Sequence, residues 1–593
     1  MSEEIEELEE HSRVRLSTLR RMFPFFKNHR KALWSAVAMV LARTAILVGL
    51  PLVFRQMIDT AVPSGRVSVV LMVAGAYLAL LVAQGVLEYF QSLVVGFMGI
   101  SIVNDIKQQL LQHIFTLSIR FFDQNKVGKL ISRVESDTQR LFTVFSTVGL
   151  QLLWASLMIL ISLAVMFAIN WRLALYVLAI LPVFAVCGFI IFFKMRPLFK
   201  KDRELYANIT GFLGEHIPAI ILLKNLNNLN WSRAKFEKIN QERRWFTIKI
   251  EALETVFWFV MLVMPVLAIG AILWQSALWI ELGAISIGTV WMFVQYVQAA
   301  IHPLFLISEQ ITELQKALGS AERIFEIFDT EPEVKDPREP LPAKEFTDSL
   351  DFKAVTFGYS PEKLVLKDVT FSIKRGTTVA IVGATGAGKT TIISLLARMY
   401  DPLKGAVTLD GTDLRKFRQA DVWAKIAFVM QDIFLFPGTV LDNLRVLRTD
   451  IPDAQVKAAA RALGVEEYIS HMPDGYQTML VEQGNNLSFG ERQLLSFARA
   501  LAFNPEILII DEATSSVDPY TESKIQASLN ELLKGRTAVV IAHRLSTIVN
   551  ADKILVMEHG QLQEEGTHEE LILKGGIYAR LYALQSSEGV MAG

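Results

Sequence analysis

Residues 377–399 read TTVAIVGATGAGKTTIISLLARM. An apolar run of strand character, 377–383, leads into GATGAGKT, and a helical pattern follows from Thr391. The eight residues Gly383, Ala384, Thr385, Gly386, Ala387, Gly388, Lys389 and Thr390 fit G-x-x-x-x-G-K-[ST] in the strand-loop-helix context that a phosphate-binding loop needs. Its glycines let the backbone turn its N–H groups inward around an anion, and the helix N-terminus adds positive dipole. Lys389 is placed to reach the β- and γ-phosphates, and Thr390 to hold Mg²⁺. The stretch EILIIDEA, 506–513, supplies the other half of a nucleotide site. Ile507 to Ile510 predict a buried strand with Asp511 at its end, where a carboxylate can bind Mg²⁺. Glu512 follows and can polarise an attacking water as general base.

Around this centre, strand-like and helical runs alternate from 349 to 593: LDFKAVTFGY, KIAFVMQ, RTAVVIAH and DKILVMEHG are the other strand candidates. Such alternation predicts an α/β P-loop domain with a largely parallel sheet. Ahead of it, TEPEVKDPREPLPAKEFTDS carries four prolines and many charges, and 329–348 is read as a linker.

The preceding half is different in kind. Six apolar stretches, near 33–60, 69–99, 142–169, 173–194, 253–276 and 284–307, are long enough to cross ~30 Å of hydrocarbon. The segment 33–328 therefore reads as a six-helix membrane domain, with 1–32 as an N-terminal segment ending in a basic amphipathic elbow helix that lies at the interface. Two long polar segments, near 100–141 and 195–252, carry most of the basic residues, while the short loops offer mainly Arg66 and Arg172. The charge bias puts the long segments and both termini in the cytoplasm. Within the spans Arg43 and Glu88 stand out, and Gln295, Tyr296, Gln298 and His302 make the sixth polar on part of its surface. Those sixth-span residues read equally as cargo contacts or as helix-to-helix hydrogen bonds; for Arg43, snorkelling is the plainer reading.

Composition sets limits. The 593 residues are 52% hydrophobic and 20% charged, below the ~25% charged of an ordinary soluble chain. One cysteine, Cys187, excludes an intrachain disulfide and a Cys-based zinc site. A net charge of −1 argues against a nucleic-acid partner, and the spans exclude a soluble ATPase acting on DNA or ribosomes.

The sequence LSFGE, Leu487, Ser488, Phe489, Gly490 and Glu491, resembles the LSGGQ signature of ATP-binding cassette (ABC) proteins. Other family elements follow the expected order. Tyr359 resembles the aromatic that stacks on adenine, Gln431 the Q-loop glutamine, Asp518 the D-loop aspartate and His543 the switch histidine that contacts the γ-phosphate. In the membrane half, 121–138 and 213–224 resemble the two cytoplasmic coupling regions of ABC exporters, the second of which usually rests on the partner's ATPase domain. The resemblance covers almost the whole chain and implies the type 1 exporter fold. It implies a half-transporter that works as a dimer, with ATP bound by Tyr359, 383–391, Gln431 and Asp511. Mg²⁺ would be held by Thr390, Gln431 and Asp511, and Ser488 with the Gly490 N–H would meet the ATP of the partner subunit. The implied function is ATP-driven export of small amphipathic, drug-like or lipid-like substrates by alternating access, in a bacterial inner membrane among its lipids. The alternative is an ATP-gated channel or regulatory subunit, against which an intact Glu512 speaks.

The signature departs from the family at Phe489, where glycine is usual, and at Glu491, where glutamine is usual. The first brings bulk to the interface and the second brings negative charge near ATP. This pattern favours a heterodimer in which the chain donates its intact Walker motifs to the competent site. A homodimer stays open.

Overall fold

The computed structural model describes residues 17–591, apart from 282, 361, 447, 449, 512–518 and 543. The acidic N-terminus, Glu512, Asp518 and His543 lie outside the described residues, as does the side chain of Cys187. The described residues form two compact units. One runs to Phe115 and from Val127 to Thr330, and the other takes Thr116–Lys126 together with everything from Glu331 onward.

The first unit is helical. Among the described residues, five of its helices are long and apolar enough to cross a membrane: Ser17–Ala61, Val67–Thr116, Val127–Ile169, Leu229–Glu281 and Ile287–Asp329. The stretch 173–194 falls within a further helix, Trp171–His216. At 1.5 Å per residue, the 53 residues of Leu229–Glu281 extend ~80 Å, well beyond any bilayer. Polar residues set the ends of these helices. Asn170 starts Trp171–His216 by accepting from the N–H groups of Arg172 (3.1 Å) and Leu173 (3.2 Å). At the opening of the last long helix, Asp59 accepts from Ser286 Oγ (2.5 Å) and the Gly288 N–H (2.9 Å). A Cβ at position 288 would stand 2.6 Å from the Asp59 carboxylate, so the close approach requires glycine. Further along the unit, buried Asp137 accepts from Arg323 (2.5 and 3.0 Å) and Arg133 (2.9 Å).

In the second unit, a four-stranded antiparallel sheet and a six-stranded, largely parallel sheet share the core. The strands of the two sheets, in chain order, are β1 (Ser349–Phe357), β2 (Leu366–Lys374), β3 (Thr378–Val382), β4 (Lys404–Leu409), β5 (Thr412–Asp413), β6 (Ile426–Val429), β7 (Ile507–Asp511), β8 (Thr537–Ile541), β9 (Lys553–Glu558) and β10 (Gln561–Gly566). The smaller sheet runs β2-β1-β4-β5 and the larger β10-β9-β3-β8-β7-β6. Strands β3, β7 and β8 are almost wholly buried, as continuous apolar runs in a covered parallel sheet must be. Residues from 331 to 345 are fastened to this unit: Leu341 N–H donates to the Lys416 carbonyl (2.9 Å), and Arg398 donates to that of Lys335 (3.2 Å).

Candidate functional site

The loop after β3 is shaped by glycine. Gly386 and Gly388 lie at φ +82° and +100°, backbone that a Cβ disfavours. A Cβ at Gly383 would approach the Met557 carbonyl oxygen to 2.2 Å. The chain then enters the helix Lys389–Leu396. Lys389 Nζ donates to the carbonyls of Gly383 (2.8 Å) and Ala384 (3.1 Å), drawing the loop into a ring around its own ammonium. Burial pushes that ammonium below its ordinary pKa, and the nearby Asp511 carboxylate works against the shift. Ala384, Thr385, Gly386 and Thr390 are exposed on the rim, while Ala387, Gly388 and Thr391 are buried beneath it. Asp511 ends β7, in register with Ile541 of the parallel neighbour β8, as a carboxylate at a strand's carboxyl end should be.

Tyr359 follows β1 and leaves 42% of its surface exposed. Its hydroxyl lies 3.2 Å from Thr391 Oγ1. Its ring meets Tyr400 edge-on, with centroids 5.4 Å apart. Tyr400 in turn donates its hydroxyl to the Asp123 carboxylate. Burial is the main cause that raises the Tyr400 pKa, and the contact with Asp123 adds to it. Arg120, one turn from Asp123, pairs with Glu333 at 2.8 Å and stands 5.9 Å from the centre of the Tyr400 ring. These residues all belong to the second unit, so an aromatic beside the phosphate loop is two contacts from the segment Thr116–Lys126.

Ser488 caps the helix Phe489–Ala502 in a reciprocal box. The Glu491 carboxylate accepts from the Ser488 N–H (2.7 Å) and from the Ser488 hydroxyl (2.8 Å). Gly490 is buried, and a Cβ there would meet Thr521 Cγ2 at 2.3 Å. Phe489 is half-buried within its own unit, where it borders a small cavity with Gln431, Gln493 and Asp511. Leu487 packs on the core.

Residues 33–304 match the family model for the ABC transporter transmembrane region, and 366–515 match the one described as ABC transporter. The ATP-dependent lipid A-core flippase of Desulfotalea psychrophila is 35% identical over 511 residues, covering 86% of this chain and 89% of the flippase. The chain belongs to the ABC transporters. It is an ATP-binding ATPase coupled to transport, with that domain and a membrane-spanning helical domain on one chain. A Bacillus subtilis protein, YgaD, named as a candidate multidrug export ATP-binding/permease protein, is 30% identical over 587 residues, which is 96% of this ABC transporter and all of YgaD. Among solved structures, a bacterial Atm1-family ABC exporter with ATP bound is similar at TM-score 0.77 and 26% identity, over 94% of this transporter and 98% of that chain.

Sequence reasoning missed Tyr400, Arg120 and Glu333. Tyr400 sits in ARMYDP beyond the phosphate loop, and nothing in that spacing says what its hydroxyl touches. In place of the snorkelling expected of Arg43, its Nη2 donates to Glu88 at 2.9 Å, so it is paired within the apolar stretches. Of the polar residues on the sixth span, Tyr296 is fully buried and donates to the Val48 carbonyl (2.6 Å), a helix-to-helix bond, whereas His302 faces a cavity.

Proposed function

We propose that the chain is one half of a dimeric exporter that uses ATP to move amphipathic, drug-like or lipid-like substrates across a bacterial inner membrane by alternating access, with both termini cytoplasmic. The observation that carries this reading is the membership of Thr116–Lys126 in the ATPase unit. That segment lies between two membrane-crossing helices in the sequence, and Asp123–Tyr400 and Arg120–Glu333 tie it to the nucleotide domain. Movement of the ATPase unit therefore has to act on those helices. The name of the Desulfotalea flippase and that of YgaD support a lipid-like or drug-like cargo.

The site residues divide the work. The loop 383–391 cradles the phosphates, Lys389 neutralises them, and Tyr359 offers its exposed ring to adenine. Thr390, Gln431 and Asp511 supply a hydroxyl, an amide oxygen and a carboxylate, the hard oxygen donors that suit Mg²⁺ alongside phosphate oxygens. Magnesium, when bound, neutralises charge that develops on the phosphates. Glu512 accepts a proton from the attacking water, and His543 contacts the γ-phosphate. Ser488 and Gly490 present donors to ATP held by the partner, and Asp518 lies at the same interface.

A dimer is supported by a second feature. Around the second coupling region, Ile217, Ile221, Leu222 and Leu226 are exposed, Ile221 by 71%. An apolar cluster of this kind on a polar extension calls for cover, which a partner's ATPase domain would supply. A heterodimer remains the favoured assembly because of Phe489 and Glu491. The test is reconstitution in liposomes with ATP and a fluorescent amphiphile, with the particle's mass determined. ATP-dependent movement that E512Q abolishes supports export; ATPase without movement favours the regulatory reading. Activity of the chain alone overturns the heterodimer.

A further inference from the structure

Within the helical unit a cavity of about 450 Å³ opens between Arg43, Glu88, Gln91, Gln151, Trp154 and His302. Three features set it apart. It holds an ion pair inside the apolar stretches, Arg43 Nη2 to Glu88 Oε1 at 2.9 Å. Ionisable groups within apolar spans are costly, and they face a bundle interior or a water-filled cavity, where they mark candidate functional sites. Four buried polar atoms around it have no hydrogen-bond partner: Arg43 Nε, Trp154 Nε1, Gln91 Oε1 and Gln151 Oε1. Leaving such atoms unpaired costs ~1–3 kcal/mol each, so side chains that turned these atoms, now closed to water, toward a bound group would recover part of that cost. The helix wall is also widened there by a π-turn over Val144–Val148, which brings Ser146 and Thr147 to the cavity; π-turns recur at functional sites.

The chemistry of the ligand follows from the charges. Arg43 and Glu88 cancel, so the cavity favours neither an anion nor a cation. The unpaired atoms are two donors and two acceptors. Glu88 keeps 51% of its side chain exposed, and a carboxylate at that depth faces water or protein, not lipid tails. Counted along the helices, Arg43 lies ten residues from one end of its apolar stretch and Glu88 eleven from the end of the next, ~15 Å in each case. Both lie nearer the end of their stretch that the charge bias reads as cytoplasmic. We propose that this cavity is a binding subsite for an amphiphile whose head is uncharged and carries both donors and acceptors, such as a glycosyl, hydroxyl or amide group, with its tail along the apolar wall at Val95 and Leu150. The proposal rests on the export reading for its purpose and on the cavity for its chemistry.

The test places a reporter in the cavity. Ser92 lines it and is exposed. The full chain carrying C187A and S92C, in nanodiscs, is labelled with a maleimide in the presence of monomeric decyl maltoside, decyl sulfate or decyltrimethylammonium. Decyl maltoside should slow labelling at a concentration at least tenfold below that of either charged probe. Adding Q91L and Q151L should raise the protecting concentration at least tenfold, with the melting temperature reporting that the protein is still folded. Equal protection by a charged probe overturns the ligand class. No protection by decyl maltoside, or protection indifferent to Q91L and Q151L, overturns the subsite. If protection holds but no amphiphile is transported, the export reading fails and the subsite stands.

Discussion

The Tyr400 hydroxyl donates to Asp123, and the same ring meets Tyr359 edge-on at 5.4 Å. One side chain thus touches both the residue proposed to stack on adenine and the segment that continues into the membrane helices. A hydrogen bond to a charged group is worth ~1.5–3 kcal/mol. Y400F keeps the ring beside Tyr359 and deletes the bond. We expect nucleotide affinity to change less than twofold and amphiphile-stimulated ATPase to fall about tenfold, as read by turnover with and without substrate. D123A should do the same, and the double variant should be no worse than either single one, because the two residues share one interaction. Burial and Asp123 keep the phenol protonated well above its usual range, so its side of this contact should not vary between pH 6 and 9.

Lys389 and Glu512 are expected to fail in different ways. Lys389 Nζ already holds the Gly383 and Ala384 carbonyls, so K389A removes the loop's internal tie together with the proposed counter-charge to phosphate. ATP binding should weaken at least tenfold. E512Q keeps shape and removes the proposed base; binding should persist while turnover falls at least a hundredfold. Equilibrium binding of a fluorescent ATP analogue, beside phosphate release, separates the two outcomes. Near-normal turnover in E512Q would reassign the chemistry to the partner's site.

What could be read from residues alone depended on the range of the interaction. The phosphate loop is local: eight consecutive residues carry its glycines, its lysine and its helix start. Strands β3, β7 and β8 showed because a covered parallel strand is a continuous apolar run. Strand β2 did not, because LKDVTFSIK alternates buried and exposed residues and belongs to an antiparallel sheet that the reading never anticipated. The contacts of Tyr400 with Asp123 and of Arg43 with Glu88 join residues 277 and 45 positions apart, and no periodicity reports such a pairing.

Asp137 tests the packing of the helical unit. It is buried and gathers two guanidinium groups, Arg323 through two hydrogen bonds and Arg133 through one. R323A leaves a buried carboxylate with one charged partner, Arg133, and should destabilise by ~2 kcal/mol or more. Thermal unfolding in detergent should show a clear drop in midpoint. R323A with D137A should recover part of it, because the lone charge is gone. No recovery would mean that Asp137 is held chiefly by Arg133.

Glu491 decides how the signature works. Its carboxylate takes both the N–H and the hydroxyl of Ser488, the hydroxyl that ABC resemblance assigns to the γ-phosphate of the partner's ATP. For Ser488 to turn to a phosphate, that bond must break, and a negative group must stay within a few ångströms of another. At an effective dielectric of ~20, two unit charges ~4 Å apart cost ~4 kcal/mol, an upper figure for an exposed site. E491Q keeps the length of the side chain and removes the charge. It should lower the ATP concentration for half-maximal turnover several-fold and weaken the dependence of that concentration on salt. The capping box accepts glutamine, so the helix Phe489–Ala502 should hold and the melting temperature should change little. Phe489 lies half-buried beside Gln431 and Gln493, so F489G should act mainly on stability, with turnover altered only modestly. The two variants are best measured in the assembled transporter across a salt series. A large gain from F489G with none from E491Q would show that bulk, not charge, restrains this signature.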